Sequence, residues 1–339
     1  MLRPMRRPAY PLVLLAALLA GCGAQRPQST AEQRQDPERA ATLLPEDAGI
    51  VQRARELLAD DRPSEAQSAL TPWIETPGNR RSPYIAEALY IRGNAKLAQG
   101  DEYQALYDYE DVAKNFPASD SFPRVLEREL EIALQYLNGL RMRTLGIRIN
   151  SGESVAEEII LRINERLPGS KLAEKALLEL ADYYYRTRDL KMAAETYDVF
   201  IEAFPKSPER SRVMQRRAFA NIAQYKGPRH DANGLVEAKY QIEQFQREFP
   251  VDAERVGMSD ALKARLDESA AEQLLVTARW YLNRDQEASG RYVLTRLVYT
   301  YPDTGAARDA LAIFEKSKWP LPGSATAAGP ESPSGTITP

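Results

Sequence analysis

Enzymatic chemistry needs nucleophiles, acid–base groups or metal ligands at workable spacing, and this sequence offers few. It contains one cysteine, Cys22, and one histidine, His230. A lone histidine excludes any multi-histidine metal site and removes the commonest general base. It sits in Gly227-Pro228-Arg229-His230-Asp231, a turn-forming run, and reads as an exposed loop residue. Glu153, Glu157 and Glu158 invite a reading as paired carboxylates for acid–base work. They lie where a helix should begin, and acidic side chains there favour the helix dipole. Tyr183-Tyr184-Tyr185 suggests an aromatic platform, but consecutive residues point to different faces of a helix. Tyr184 is expected in the core, with only Tyr185 facing a groove. No phosphate-binding loop, Ser/His/Asp set or metal-ligand spacing is found. The expectation is a protein that is not an enzyme, with no catalytic residue, no metal and no cofactor.

The one sulfhydryl stands at an informative place. Arg3, Arg6 and Arg7 precede an apolar run from Leu12 to Ala20. That run is shorter than the roughly 20 apolar residues that span a bilayer as a helix. A basic start, a short apolar core and small residues at the exit describe a secretory signal peptide, residues 1–21. The exit, Leu19-Ala20-Gly21-Cys22, resembles the bacterial lipobox. The resemblance implies cleavage before Cys22, a diacylglyceryl thioether on its sulfur and an amide-linked acyl chain. Two or three chains give stable anchoring where one gives only marginal attachment. Gly23 stands where an Asp commonly retains such proteins at the inner membrane, so the resemblance implies a lipid-anchored place in the cell envelope, at the outer membrane facing the periplasm.

The cleaved chain would have about 318 residues, enough for a large core. Lys and Arg number 45 against 48 Asp and Glu, interspersed and without a long basic block, so nucleic acid is not an expected partner. Residues 22–46, rich in Gln, Arg, Pro and Ala, are expected to form a lipidated flexible tether reaching roughly 25 Å. Residues 320–339, of Pro, Gly, Ser, Thr and Ala, are expected to be a disordered tail.

Between these ends a phrase recurs: Asn115-Phe116-Pro117-Ala118-Ser119, Arg166-Leu167-Pro168-Gly169-Ser170, Ala203-Phe204-Pro205-Lys206-Ser207, Glu248-Phe249-Pro250-Val251-Asp252 and Thr300-Tyr301-Pro302-Asp303-Thr304. Proline stops a helix, and the Ser, Asp or Thr two residues later can cap the next. Along the helix before Pro205, Ala193, Tyr197, Phe200, Ile201 and Phe204 make one apolar stripe. Looser pairs surround these, one with a connector containing Gly139, Gly146 and Gly152, one interrupted by the loop at His230. A degenerate first pair covers Ile50 to Glu75, and Ala306 to Lys318 reads as a closing helix. No strand-like alternating run of useful length stands out.

The residues upstream of each phrase resemble the tetratricopeptide repeat. Aligned on Pro205 they are Leu177, Ala181, Tyr184, Ala193, Tyr197 and Phe200. Aligned on Pro117 they are Leu89, Gly93, Ala105 and Tyr109; aligned on Pro302, Leu274, Ala278, Tyr281, Gly290, Leu294 and Leu297. Small residues at Gly93, Ala105, Ala181 and Ala193 let two helices approach closely. The resemblance implies an all-α, right-handed superhelical solenoid over residues 47–319, with about five to six helix pairs and a C-terminal capping helix. It also implies a concave groove lined by the first helix of each pair. Candidate groove positions carried over from the pattern are Tyr90, Asn94, Lys175, Asp182, Tyr185, Arg279 and Asn283.

A lipobox joined to such repeats is similar to the BamD-like family of outer-membrane assembly lipoproteins. The late stretch Ala278-Arg279-Trp280-Tyr281-Leu282-Asn283-Arg284 with Tyr301-Pro302-Asp303-Thr304 carries the best local match, and Asp198 to Ser207 resembles an earlier repeat. The resemblance spans roughly residues 83 to 318. It implies a scaffold whose partners are proteins of the outer-membrane assembly machinery or unfolded barrel segments. A repeat lipoprotein coordinating cell-wall synthesis or envelope organisation stands as an alternative, and an envelope hydrolase as one of another class.

Overall fold

A computed structural model of the chain describes residues 36–144 and 147–322. Fourteen helices and one hairpin follow in order: α1 (Asp36–Ala59), α2 (Pro63–Glu75), α3 (Ile85–Ala98), α4 (Glu102–Asn115), α5 (Ser121–Leu137), β1 (Arg141–Thr144), β2 (Ile147–Ser151), α6 (Glu153–Arg166), α7 (Lys171–Thr187), α8 (Leu190–Ala203), α9 (Arg210–Ala223), α10 (Asn233–Glu248), α11 (Pro250–Arg255), α12 (Asp260–Leu282), α13 (Glu287–Thr300) and α14 (Gly305–Lys316). Each helix packs on the next except at the short α11, which packs on α10 as α12 does, and α1, α3, α5 and α7 also touch in series. The result is an all-α solenoid of six helix pairs, with α14 closing the end against α12 and α13. Cys22, the signal-peptide residues and the tail from residue 323 lie outside the described residues.

The recurrent phrase sets the joints. Ser170 and Thr304 cap α7 and α14, accepting hydrogen bonds from the backbone N–H groups of Ala173 and Ala307 at 3.1 Å. Glu268 adds a second cap to α14 from the neighbouring helix, its carboxylate accepting from the N–H groups of Gly305 and Ala306 at 2.7 and 2.9 Å. Ser119, Ser207 and Asp252 depart from the expectation of a cap: Asp120 and Glu209 stand at the cap positions of α5 and α9, and Pro250 begins the short helix α11, which contains Asp252, with α12 starting only at Asp260. Proline at a first helical position forfeits nothing, because that N–H has no partner in a helix.

Two further expectations differ from the structure. Helix α1 begins at Asp36, inside the stretch expected to be a flexible tether up to Glu46. Pro37 suits a first turn, and Ala40, Ala41, Leu43 and Leu44 are good helix formers. The connector between α5 and α6 is an antiparallel hairpin, where no strand was expected. Its alternation, Arg141-Met142-Arg143-Thr144 and Ile147-Arg148-Ile149-Asn150, has period two but is too short to stand out against helical patterning.

The core divides within one helix. A long cluster runs from Val51 to Ala270, and a smaller one collects Ala271, Leu275 and Ala278 of α12 with Leu294, Leu297, Ala306, Ala307, Ala310 and Phe314. The 23-residue α12 belongs to both.

Candidate partner-binding groove

The first helices of five pairs, α3, α5, α7, α9 and α12, carry the candidate positions and their partners, and these polar residues fall into two kinds. In the α3–α4 pair, Gly93 faces the ring of Tyr109 so closely that an added Cβ would lie 2.4 Å from a ring carbon. Tyr109 is fully buried, and its hydroxyl donates to Asn94 Oδ1 at 2.7 Å. Burial pushes its pKa well up, so the phenol stays a donor. Tyr90, on the same helix, is buried under Arg124 of α5, whose guanidinium lies 4.0 Å from the ring centroid. Arg124 also pairs with Glu87 at 2.8 Å, and Arg55 of α1 holds the same carboxylate at 2.9 Å. One carboxylate thus ties α1, α3 and α5 together.

The α7–α8 pair repeats this arrangement. Tyr197, fully buried, donates to Asp182 Oδ1 at 2.6 Å. Arg212 and Arg216 of α9 pair with the same Asp182 at 3.0 and 2.5 Å. Burial opposes ionisation of Asp182, but hydrogen bonds from Tyr197 and Arg216 and the charges of both arginines outweigh it and hold its pKa below the usual value. Arg216 lies 5.7 Å from the ring of Tyr185, which is half-buried. Asn94 and Asp182, Tyr109 and Tyr197, Arg124 and Arg212, and Arg128 and Arg216 are all separated by the interval from Pro117 to Pro205. That shared interval is a sequence signal for the arginines, which the repeat pattern alone did not nominate.

At the last pair the same positions read differently. The interval from Pro205 to Pro302 carries Asp182 to Arg279, Tyr197 to Leu294 and Arg212 to Asp309. Leu294 is fully buried and has no hydroxyl to engage a polar neighbour. Arg279 instead reaches Asp309 of α14 at 3.1 Å, with both side chains more than half exposed. Around it opens a cleft of about 660 Å³ lined by Pro228, Arg229, Val276, Thr277, Arg279, Trp280, Tyr281 and Asn283. Trp280 is 48% exposed, stands edge-to-face with Tyr281 and carries the Arg284 guanidinium 3.9 Å from its ring centroid. A second cleft of about 480 Å³ shares Pro228, Val276 and Arg279 and adds Glu272, Arg308 and Asp309. His230 is exposed in the loop that brings Pro228 to this wall.

Of the seven candidate positions, Arg279 and Asn283 therefore share one open cleft, and Lys175 is exposed on α7. Tyr90, Asn94, Asp182 and Tyr185 are instead held in contacts between helices. Tyr184 is in the core as expected, and Tyr183 joins it, 8% exposed. Glu153 begins α6, as its reading as a helix-start residue requires. Among the described residues no group of three or more His, Cys, Asp and Glu is placed to hold a metal ion. No helix among them is long and apolar enough to cross a membrane.

A family model described as YfiO, outer membrane lipoprotein, matches residues 150–327, and a tetratricopeptide-repeat model matches residues 87–119. The outer membrane protein assembly factor BamD of Vibrio cholerae is 29% identical over 173 residues, covering 47% of this chain and 69% of that protein. The BamD of Pasteurella multocida is 22% identical over 178 residues, covering 50% and 68%. Among solved structures, the C-terminal part of a TPR repeat-containing protein from Cytophaga hutchinsonii aligns at 14% identity with a TM-score of 0.35, covering 83% of this chain and 95% of that one.

Proposed function

The chain belongs to the YfiO family of outer membrane lipoproteins, and from that premise we propose that it is a lipid-anchored scaffold for outer-membrane β-barrel assembly. The acyl chains on Cys22 hold it to the periplasmic face of the outer membrane. Its partners are proteins of the assembly machinery or unfolded barrel segments, taken up on the groove side of the repeats. The scaffold contributes position, not bond chemistry.

The observation that carries this reading is the open cleft at the last repeat. Arg279, Trp280, Tyr281 and Asn283 offer rigid aromatic area and a cationic hydrogen-bond donor in one place, the composition that concentrates binding energy at protein interfaces. At the earlier repeats Tyr90, Asn94, Asp182 and Tyr185 hold helices together and only Lys175 is exposed, so binding energy concentrates at the C-terminal end.

Affinity purification of the full-length chain from detergent-solubilised membranes tests the role. Recovery with β-barrel assembly components supports it; recovery with peptidoglycan synthases alone overturns it. Metabolic labelling with a fatty acid tests the anchor: label should be lost in Cys22→Ala, and label that persists contradicts it.

A further inference from the structure

Helix α13 buries one side and leaves the other bare. Leu294 and Leu297 are fully buried in the second core, and Gly290 faces Leu282 and Ala278 of α12. On the opposite side Tyr292 and Tyr299 stand 71% and 63% exposed. Ala288 is exposed and Thr295 half-buried on the same side. Ala288, Tyr292, Thr295 and Tyr299 follow the spacing i, i+4, i+7, i+11, which makes one stripe along a helix. The repeat itself does not call for these tyrosines: the interval from Pro205 to Pro302 carries Glu195 to Tyr292 and Glu202 to Tyr299.

Arg291 and Arg296 flank the stripe, one on each side, and both are exposed. Among the described residues neither has a hydrogen bond or an ion pair; Arg296 meets Tyr301 only through its charge. Glu287 lies one turn before Arg291 without pairing with it. From Ala288 to Pro302 the sequence has no acidic residue, while Asp285, Glu287 and Asp303 bound that segment. This is the layout of a two-helix seam with one helix missing. In such a seam the stripe packs on the partner's apolar row, and the flanking charges pair across it. A second copy of α13 does not complete the seam, because arginine would face arginine in either orientation. An anionic bilayer fits less well than a bounded partner, since a wide negative plane would repel the acidic residues at both ends of the patch.

We propose that the outer face of α13 docks one helix of a partner protein, with Glu or Asp on both sides of that helix's apolar row. Tyr292 and Tyr299 supply the packed area, and Arg291 and Arg296 supply the pairing. The surface shares no residue with the cleft at Trp280.

The test uses the full-length chain and a fluorescent three-heptad helical peptide with Leu in its apolar row and Glu on both flanks, followed by anisotropy. Saturable binding is expected, weakened about tenfold when Lys replaces Glu in the peptide, a comparison that needs no protein variant. Combining Arg291→Glu with Arg296→Glu should reverse the preference, losing the Glu peptide and gaining the Lys peptide. Thermal melting of that variant should match the parent, because the fold makes no use of either arginine. Absence of saturable binding, equal binding of the two peptides, or an unchanged preference in the double variant overturns the proposal. So does binding that survives the double variant and is lost in Trp280→Ala, which puts the probe in the cleft instead. A photoreactive residue in place of Tyr292 that crosslinks to phospholipid, with no saturable peptide binding, assigns the face to the bilayer and overturns it too.

Discussion

The α7–α9 region and the α12–α14 region place residues at matching positions and use them for different ends. In the first, Tyr197 hands its hydroxyl to Asp182, and two arginines from the next helix close on the same carboxylate. In the second, a leucine replaces the tyrosine, the acid becomes Arg279 and the arginine becomes Asp309. The pairing survives with its charges exchanged, but without the buried hydroxyl it moves out to solvent. One side chain on the second helix of a pair thus decides whether the groove-facing residue is structural or available.

The largest effect should come from disturbing the close contact of the first latch. Gly93→Ala drives a methyl into the Tyr109 ring, and overpacking of this kind costs about 1–3 kcal/mol. Gly290→Ala meets Cδ2 and Cγ of Leu282, a side chain that can move, with the Ala278 carbonyl 3.3 Å away, and should cost less. Urea melts of the two variants rank them; a reversed order breaks the contrast between a rigid and a yielding contact.

Next comes Tyr197→Phe, which leaves Asp182 without a buried donor and should cost about 1–2 kcal/mol. Arg279→Ala removes only an exposed ion pair and should stay below about 1 kcal/mol. If the two cost the same, the latch is not what separates these regions.

Sequence made the helices readable because proline ends each pair and small residues mark where helices touch. The joints were readable too, at Ser170 and Thr304. What escaped depends on partners far along the chain. Tyr90 and Tyr185 have the composition of binding residues, yet Arg124 and Arg216 from other helices cover them. Arg279 and Asn283 carry no different signature, but Leu294 and the loop at Pro228 leave them a cleft. The hairpin was missed because its alternation is shorter than a helical turn pattern needs to be overruled.

A pH-dependent contrast lies in the larger core. Glu129 of α5 is 2% exposed; burial, aided by the charge of Glu110 and only partly offset by Arg166 and Arg162, pushes its pKa up to about 7. A carboxyl whose folded pKa lies above its unfolded value favours folding in its protonated form. That stability is full below the unfolded pKa near 4.5 and is lost as pH rises through about 7. Glu129→Gln keeps a neutral side chain at every pH, and Arg166 retains Glu110 at 2.6 Å. The variant should therefore gain stability over the parent at pH 8 and show little gain at pH 5, by thermal melting at both values. A gain of equal size at the two pH values would mean that burial of the charge is not the cause.

The smallest expected difference is dynamic. The second core is small and rich in alanine, so amides of α13 and α14 should exchange with deuterium sooner than those of α3 and α4.

The central claim, that partners meet the C-terminal cleft and not the latched positions, is tested by photocrosslinking in living cells. A benzophenone amino acid is placed at Asn283 or at Tyr90 in otherwise unchanged full-length chains. Crosslinks to an envelope protein from position 283 and none from position 90 are the predicted result. Crosslinks from position 90 with none from position 283 would contradict it.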